Sequence, residues 1–192
     1  MRRATLPQSD FEMQRRLVSS DLERLFNDCF LGSENTRLTG QAEEPFYQPA
    51  CDDMPAQIFY TRDYFRSALH EIAHWCVAGP ARRQLADFGY WYEADGRDAG
   101  QQQAFLQVEV KPQALEMLFC AATGHRFRVS LDNLGGEAVD PAPFEQAVWD
   151  RATWLLQEGL QGRVKCWCDA LAGFYRGSVL LPAHLQQVFA RW

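Results

Sequence analysis

The chain lacks most of the features that would assign it quickly. Its 192 residues contain no run of about 18 apolar residues, so no membrane-spanning helix is expected. The first residues, Met1-Arg2-Arg3-Ala4-Thr5-Leu6-Pro7, carry charge with no apolar stretch behind them. A secretory signal is therefore not expected, and a cytoplasmic location is the default. Basic residues are outnumbered: 19 Lys and Arg against 25 Asp and Glu give a formal net charge of −6. With no long basic stripe, neither nucleic acid nor a membrane is expected as a partner, whereas cationic substrate groups would be tolerated. Six cysteines, at 29, 51, 76, 120, 166 and 168, contain no Cys-x-x-Cys pair. Cys166-Trp167-Cys168 has no matching second pair, so packing thiols are expected rather than disulfides or a thiolate metal site. Internal repeats and low-complexity linkers are missing as well.

What is present is enough apolar material for one sizeable core: 47% hydrophobic and 13% aromatic residues. The expected fold class is α+β, a single compact and mostly helical domain over residues 11–192 with a small sheet, behind a flexible tail at 1–10. Val18, Leu22, Leu25, Phe26 and Cys29 recur at helical spacing, predicting a helix over 11–30 that ends near Gly32. Residues 32–56, with Gly32, Gly40, Pro45, Pro49 and Pro55, suggest an irregular wrap with a short strand near Arg37-Leu38-Thr39. Short strands are expected at 57–60, 88–92 and 127–131. Helices are expected at 98–122, 144–159, 164–175 and 182–192. Pro112 interrupts the first of these, predicting a kink or two helices meeting there.

Chemistry enters at Leu69-His70-Glu71-Ile72-Ala73-His74-Trp75-Cys76. Two histidines four apart lie on one helical face, so both imidazoles can reach one metal ion, with Glu71 beside the first. The surroundings suit a helix from Tyr64 to Ala78, capped by Thr61 or Asp63 and stopped by Gly79-Pro80. Ala68, Leu69, Ile72, Ala73 and Cys76 form its apolar stripe.

A catalytic site needs a third protein ligand. His125 and His184 have no partner at helical spacing and are expected to be ordinary hydrogen-bonded histidines. Among the carboxylates, Asp87, Glu93, Asp95, Asp98 and Glu116 are expected mostly at the surface. Glu109 differs, because it sits between Val108 and Val110 just before Pro112. A carboxylate buried there should meet a cation, and the break expected at Pro112 could aim it inward. A His70, His74, Glu109 set admits zinc with Glu71 as general base, as in zincin-type peptidases, or Fe(II) with open positions for oxygen, as in oxygenases. A noncatalytic structural metal is a third possibility.

The blocks around the motif resemble the bacterial elongation factor P hydroxylases. They are His70 to Cys76 with Ala78-Gly79 and Ala81-Arg82-Arg83, then Asp87 to Tyr92, Asp95 to Ala99, Val108 to Leu115, Leu118-Phe119-Cys120 and Asp132-Asn133-Leu134. They cover about residues 57–134. The resemblance implies a cytoplasmic enzyme using Fe(II) and molecular oxygen. It would hydroxylate a lysine of translation elongation factor P that already carries a β-lysyl group. Carried over by position, His70, His74 and Glu109 would ligate the metal and Glu71 would be the catalytic glutamate. Tyr90, Trp91 and Tyr92, with Asp95 and Asp98, could receive the ammonium groups of such a substrate.

Overall fold

A computed structural model describes residues 17–89, 96–132 and 139–189, so the tail expected at 1–10 lies outside the described residues. The chain runs α1 (Ser19–Glu34), β1 (Thr36–Ala42), β2 (Phe46–Gln48), β3 (Ala56–Thr61) and α2 (Phe65–Val77). Two short 3-10 turns follow, Arg82–Gln84 and Ala86–Gly89, and then α3 (Ala99–Thr123), α4 (Ala142–Glu158), α5 (Gly162–Arg176) and α6 (Pro182–Val188). The protein is compact and mostly helical with one small sheet, in agreement with the α+β expectation. Among the described residues no helix is long and apolar enough to cross a membrane.

The sheet has the order β1-β3-β2, with β3 parallel to β1 and antiparallel to β2. Ala56, Ile58 and Tyr60 of β3 alternate inward, as the period of two in a strand requires. Helix α1 buries Leu22, Phe26 and Phe30, spaced by four, and packs against β1. Close approach is needed at Gly40, where an added Cβ would stand 2.5 Å from the Tyr60 hydroxyl. That hydroxyl donates to Glu23 Oε1 at 2.6 Å.

Several local expectations are corrected. The strand expected near Arg37-Leu38-Thr39 is present as β1, but it is longer, and a second strand, β2, stands where an irregular wrap was expected, because pairing with β3 supplies what local propensity does not. Helix α1 passes through Gly32 and stops at Asn35, whose φ of 46° breaks the helical run. Phe88 and Gly89 belong to a 3-10 turn with Asp87 and Phe88 at positive φ, not to a strand; the remainder of the expected strand at 88–92 lies outside the described residues. Among the described residues, 127–131 make a single isolated bridge, Phe127 to Phe189, and no strand. Gln113 instead pins that segment, accepting the Ser130 N–H at 2.9 Å and donating to the Ser130 carbonyl at 2.8 Å.

The largest correction concerns Pro112. Helix α3 runs unbroken through it for 25 residues. A proline inside a helix costs about 3 kcal/mol in lost hydrogen bonding and clash. Every residue from Pro112 to Thr123 is buried, and α3 packs against α2, α4, α5 and α6. Burial of about 2 kcal/mol per large apolar side chain outweighs the local penalty.

Candidate metal centre

Helix α2 forms because its apolar positions fall on one side. Phe65, Ala68, Leu69, Ile72, Ala73 and Trp75 are buried, while Cys76 of the expected stripe is only half-buried. No side chain caps its start, so Thr61 and Asp63 do not serve there; Ser67 Oγ accepts the Thr61 N–H at 3.1 Å. Its end is held from α5, where Arg163 Nη2 donates to the Ala78 carbonyl at 2.8 Å. The remaining face carries Arg66, His70 and His74 at intervals of four.

Helix α3 presents Glu109, Gln113 and Glu116 to that face, spaced by four and three. Arg66 and His70 meet Glu116, while His74 meets Glu109, so the two helices run antiparallel here. His70 Nε2 and His74 Nε2 are 3.0 Å apart. Glu109 Oε1 lies 3.4 Å from His74 Nε2 and its Oε2 lies 3.9 Å from His70 Nε2. One donor atom from each residue falls within 4.8 Å of the others. Donors sharing an ion at about 2.1 Å stand roughly 3.0–3.4 Å apart, so small side-chain shifts would complete a metal site. The charge balance suits one too. Glu109 is 5% exposed, its carboxylate accepts from Gln113 Nε2 at 3.3 Å, and among the described residues no lysine or arginine pairs with it. Its only cationic neighbour among the described residues is the His70 imidazole, 3.9 Å away, so a divalent ion displacing the His70 proton would suit the same carboxylate. Glu109 reaches this position from a regular helix, not from a break at Pro112.

The protons are unevenly divided. Burial opposes a charged His70, but the hydrogen bond and charge of Glu116, with Glu71 and Glu109, outweigh it and raise the imidazole to about 10. His74 is held well below the usual histidine range by burial and by the charge on His70. In the metal-free protein at neutral pH, His70 therefore carries protons on both ring nitrogens and His74 on one. A shared ion needs the His70 Nε2 lone pair, so binding displaces that proton. Loading with Co(II) at pH 7 is expected to release about one proton, visible as buffer-dependent calorimetric enthalpy. Because the competing proton is present below about 10, apparent affinity should fall roughly tenfold for each pH unit lowered. Affinity independent of pH between 6 and 8 would reject this protonation pattern.

Glu71 is half-buried and has no hydrogen bond or ion pair among the described residues. Burial pushes its carboxyl up to about 7, with Glu109, Glu116 and Asp87 adding to the rise and His70 opposing it. The other candidates sit elsewhere. Asp87 accepts the Tyr47 N–H at 2.8 Å, and Asp98 caps α3 reciprocally with Gln101. His125 stacks on Phe65 at 5.6 Å, and His184 Nδ1 accepts the Leu181 N–H at 3.1 Å. Tyr90, Trp91, Tyr92, Glu93 and Asp95 lie outside the described residues. Sequence reasoning missed Glu116, Arg66 and Gln113. Glu116 is 1% exposed, not at the surface. Its Oε2 is 2.8 Å from His70 Nδ1 and its Oε1 is 2.6 Å from Arg66 Nε. The available signal was a lone acid in the apolar run 114–122, seven residues after Glu109.

Comparison with known proteins gives the family. The family model described as Elongation factor P hydroxylase matches residues 25–185, a wider span than the blocks at 57–134. A protein of Haemophilus influenzae named Elongation factor P lysine hydroxylase is 48% identical over 156 residues, covering 81% of this chain and 88% of that protein.

Proposed function

Since the chain belongs to the elongation factor P hydroxylase family, we propose that it hydroxylates a lysine of translation elongation factor P, one extended beforehand by a β-lysyl group. The single observation that carries the chemistry is the convergence of His70, His74 and Glu109 at the α2–α3 interface. These three would hold Fe(II). Iron, when bound, supplies the redox chemistry that lets dioxygen oxidise an unactivated C–H bond. One oxygen atom enters the lysine and the other leaves as water, which requires two electrons and two protons from a reductant.

The chain's own residues support this chemistry by position and charge. The side chains of His70 and His74 are partly exposed, so substrate and oxygen could reach the ion that the two imidazoles and the carboxylate would hold. Glu71, without a hydrogen-bond partner among the described residues and raised to about 7, can hold or release a proton at its carboxyl near neutral pH, which suits proton supply beside the site. The formal charge of −6 suits a cationic side chain as substrate.

The test uses iron-loaded protein, β-lysylated elongation factor P and a supplied reductant. Intact mass of the factor is expected to rise by one oxygen atom. No gain under these conditions would refute the hydroxylase. The zinc peptidase reading, which the bare motif admits equally and the family match does not support, predicts chelator-sensitive cleavage of an unfolded protein with zinc, and no oxygen gain.

A further inference from the structure

We propose that Glu116, clamped by Arg66, is a positioning residue for the centre: it takes the Nδ1–H of His70 as a hydrogen bond and thereby turns the His70 Nε2 lone pair toward His74 and Glu109. This deepens the metal reading and rests on it. A neutral imidazole has two tautomers and can flip its ring, and only one arrangement offers Nε2 to an ion. A carboxylate at 2.8 Å from Nδ1 selects that arrangement, as carboxylates behind metal-bound histidines do.

Glu116 is not a fourth ligand. Both of its oxygens are already taken, Oε2 by His70 and Oε1 by Arg66 Nε at 2.6 Å. At 1% exposure the carboxylate needs such partners, because an unpaired buried charge is strongly unfavourable. Arg66 is in turn held on its other side. Its Nη2 donates to the Arg128 carbonyl, and its guanidinium lies 5.4 Å over the Phe127 ring. Glu109 is braced in parallel, since Gln113 Nε2 reaches both Glu109 Oε2 at 3.3 Å and the Ser130 carbonyl at 2.8 Å. Segment 127–130 therefore backs both helices' ligands, His70 through Arg66 and Glu116 and Glu109 through Gln113. It fixes their orientation without touching the ion. Among the described residues the Nδ1 of His74 has no such partner, which makes His70 the anchored histidine of the pair.

The probe is Co(II), titrated anaerobically into metal-free protein and read by its d–d absorption, with Fe(II) binding measured in parallel. Glu116→Gln keeps the volume and removes the charge. It is expected to weaken Co(II) binding about 10–100-fold and to shift the d–d bands. The double variant Arg66→Met/Glu116→Gln removes both charges together. If Glu116 only completes a structural ion pair, this variant recovers wild-type affinity and spectrum. If it positions His70, affinity stays as low as in Glu116→Gln, and this comparison holds even where the single variant folds poorly. Wild-type affinity and spectrum in Glu116→Gln, or recovery in the double variant, overturns the proposal while leaving the metal centre intact. Failure of the wild-type protein to bind either ion overturns the metal reading first and the positioning role with it.

Discussion

Glu109→Ala is expected to strip the centre of its metal and abolish hydroxylation. The substitution removes the only carboxylate among the three converging donors and leaves two imidazoles, which hold a divalent ion poorly. Loss of a partner behind a ligand costs about 10–100-fold in metal affinity; loss of the ligand itself should exceed that, at least about a hundredfold. Metal content after dialysis and the oxygen mass gain of the factor should fall together. Retained metal with lost activity would move Glu109 out of the coordination set.

The conservative Glu109→Gln has a second consequence, for the metal-free fold. Burial, partly offset by His70 and Gln113, raises the Glu109 carboxyl above its ordinary value of 4.5. An acid raised on folding binds its proton more tightly in the folded state. Its contribution therefore turns unfavourable as pH rises above the ordinary value. Metal-free Glu109→Gln is expected to melt above wild type at pH 7 to 8 and level with it near pH 4. A lower melting temperature at pH 7 would contradict the sign.

Trp75→Ala is expected to cost the most stability. Trp75 is fully buried next to His74, with its ring 4.9 Å from Phe30 and 5.1 Å from Phe26. The Arg163 guanidinium lies over the ring at 4.4 Å. Truncating a buried tryptophan costs about 3–5 kcal/mol, a large share of a typical total of roughly 5–15 kcal/mol. The urea midpoint should drop accordingly, and metal binding should weaken because the same helix turn carries His74. The indole Nε1 has no hydrogen-bond partner among the described residues, so Trp75→Phe should be much milder. An unchanged midpoint in Trp75→Ala would show that α2 is anchored elsewhere.

Parts of this architecture could be read directly from residue order. Helix α2 was expected at 64–78 and runs from Phe65 to Val77, because its apolar period and its Gly79-Pro80 stop are local signals. Helices α4 and α5 start within two residues of their expected positions for the same reason. The burial expected of Glu109 is found, at 5% exposure, but not for the expected reasons. Its neighbour Val108 is 56% exposed, so flanking valines did not bury it. A helix sends adjacent residues to different sides, and the burial of Glu109 comes from facing α2. Of the first two strands only the centre of β1 was legible; β2 and the passage of α3 through Pro112 were not, since one depends on a partner strand and the other on four packed helices.

Residue order alone determined the family, the helix that carries the H-E-x-x-H motif and the two histidines on one face of it, all carried by contiguous blocks and by a spacing of four. Only the tertiary structure brought Glu109 and Glu116 to the two histidines. The bond from His70 to Glu116 spans 46 residues, and that from Arg66 to Glu116 spans 50. Such pairs exist only once α2 and α3 pack antiparallel with aligned polar stripes. That alignment is set by the apolar sides of both helices, which bury far more surface than the few polar contacts it brings together.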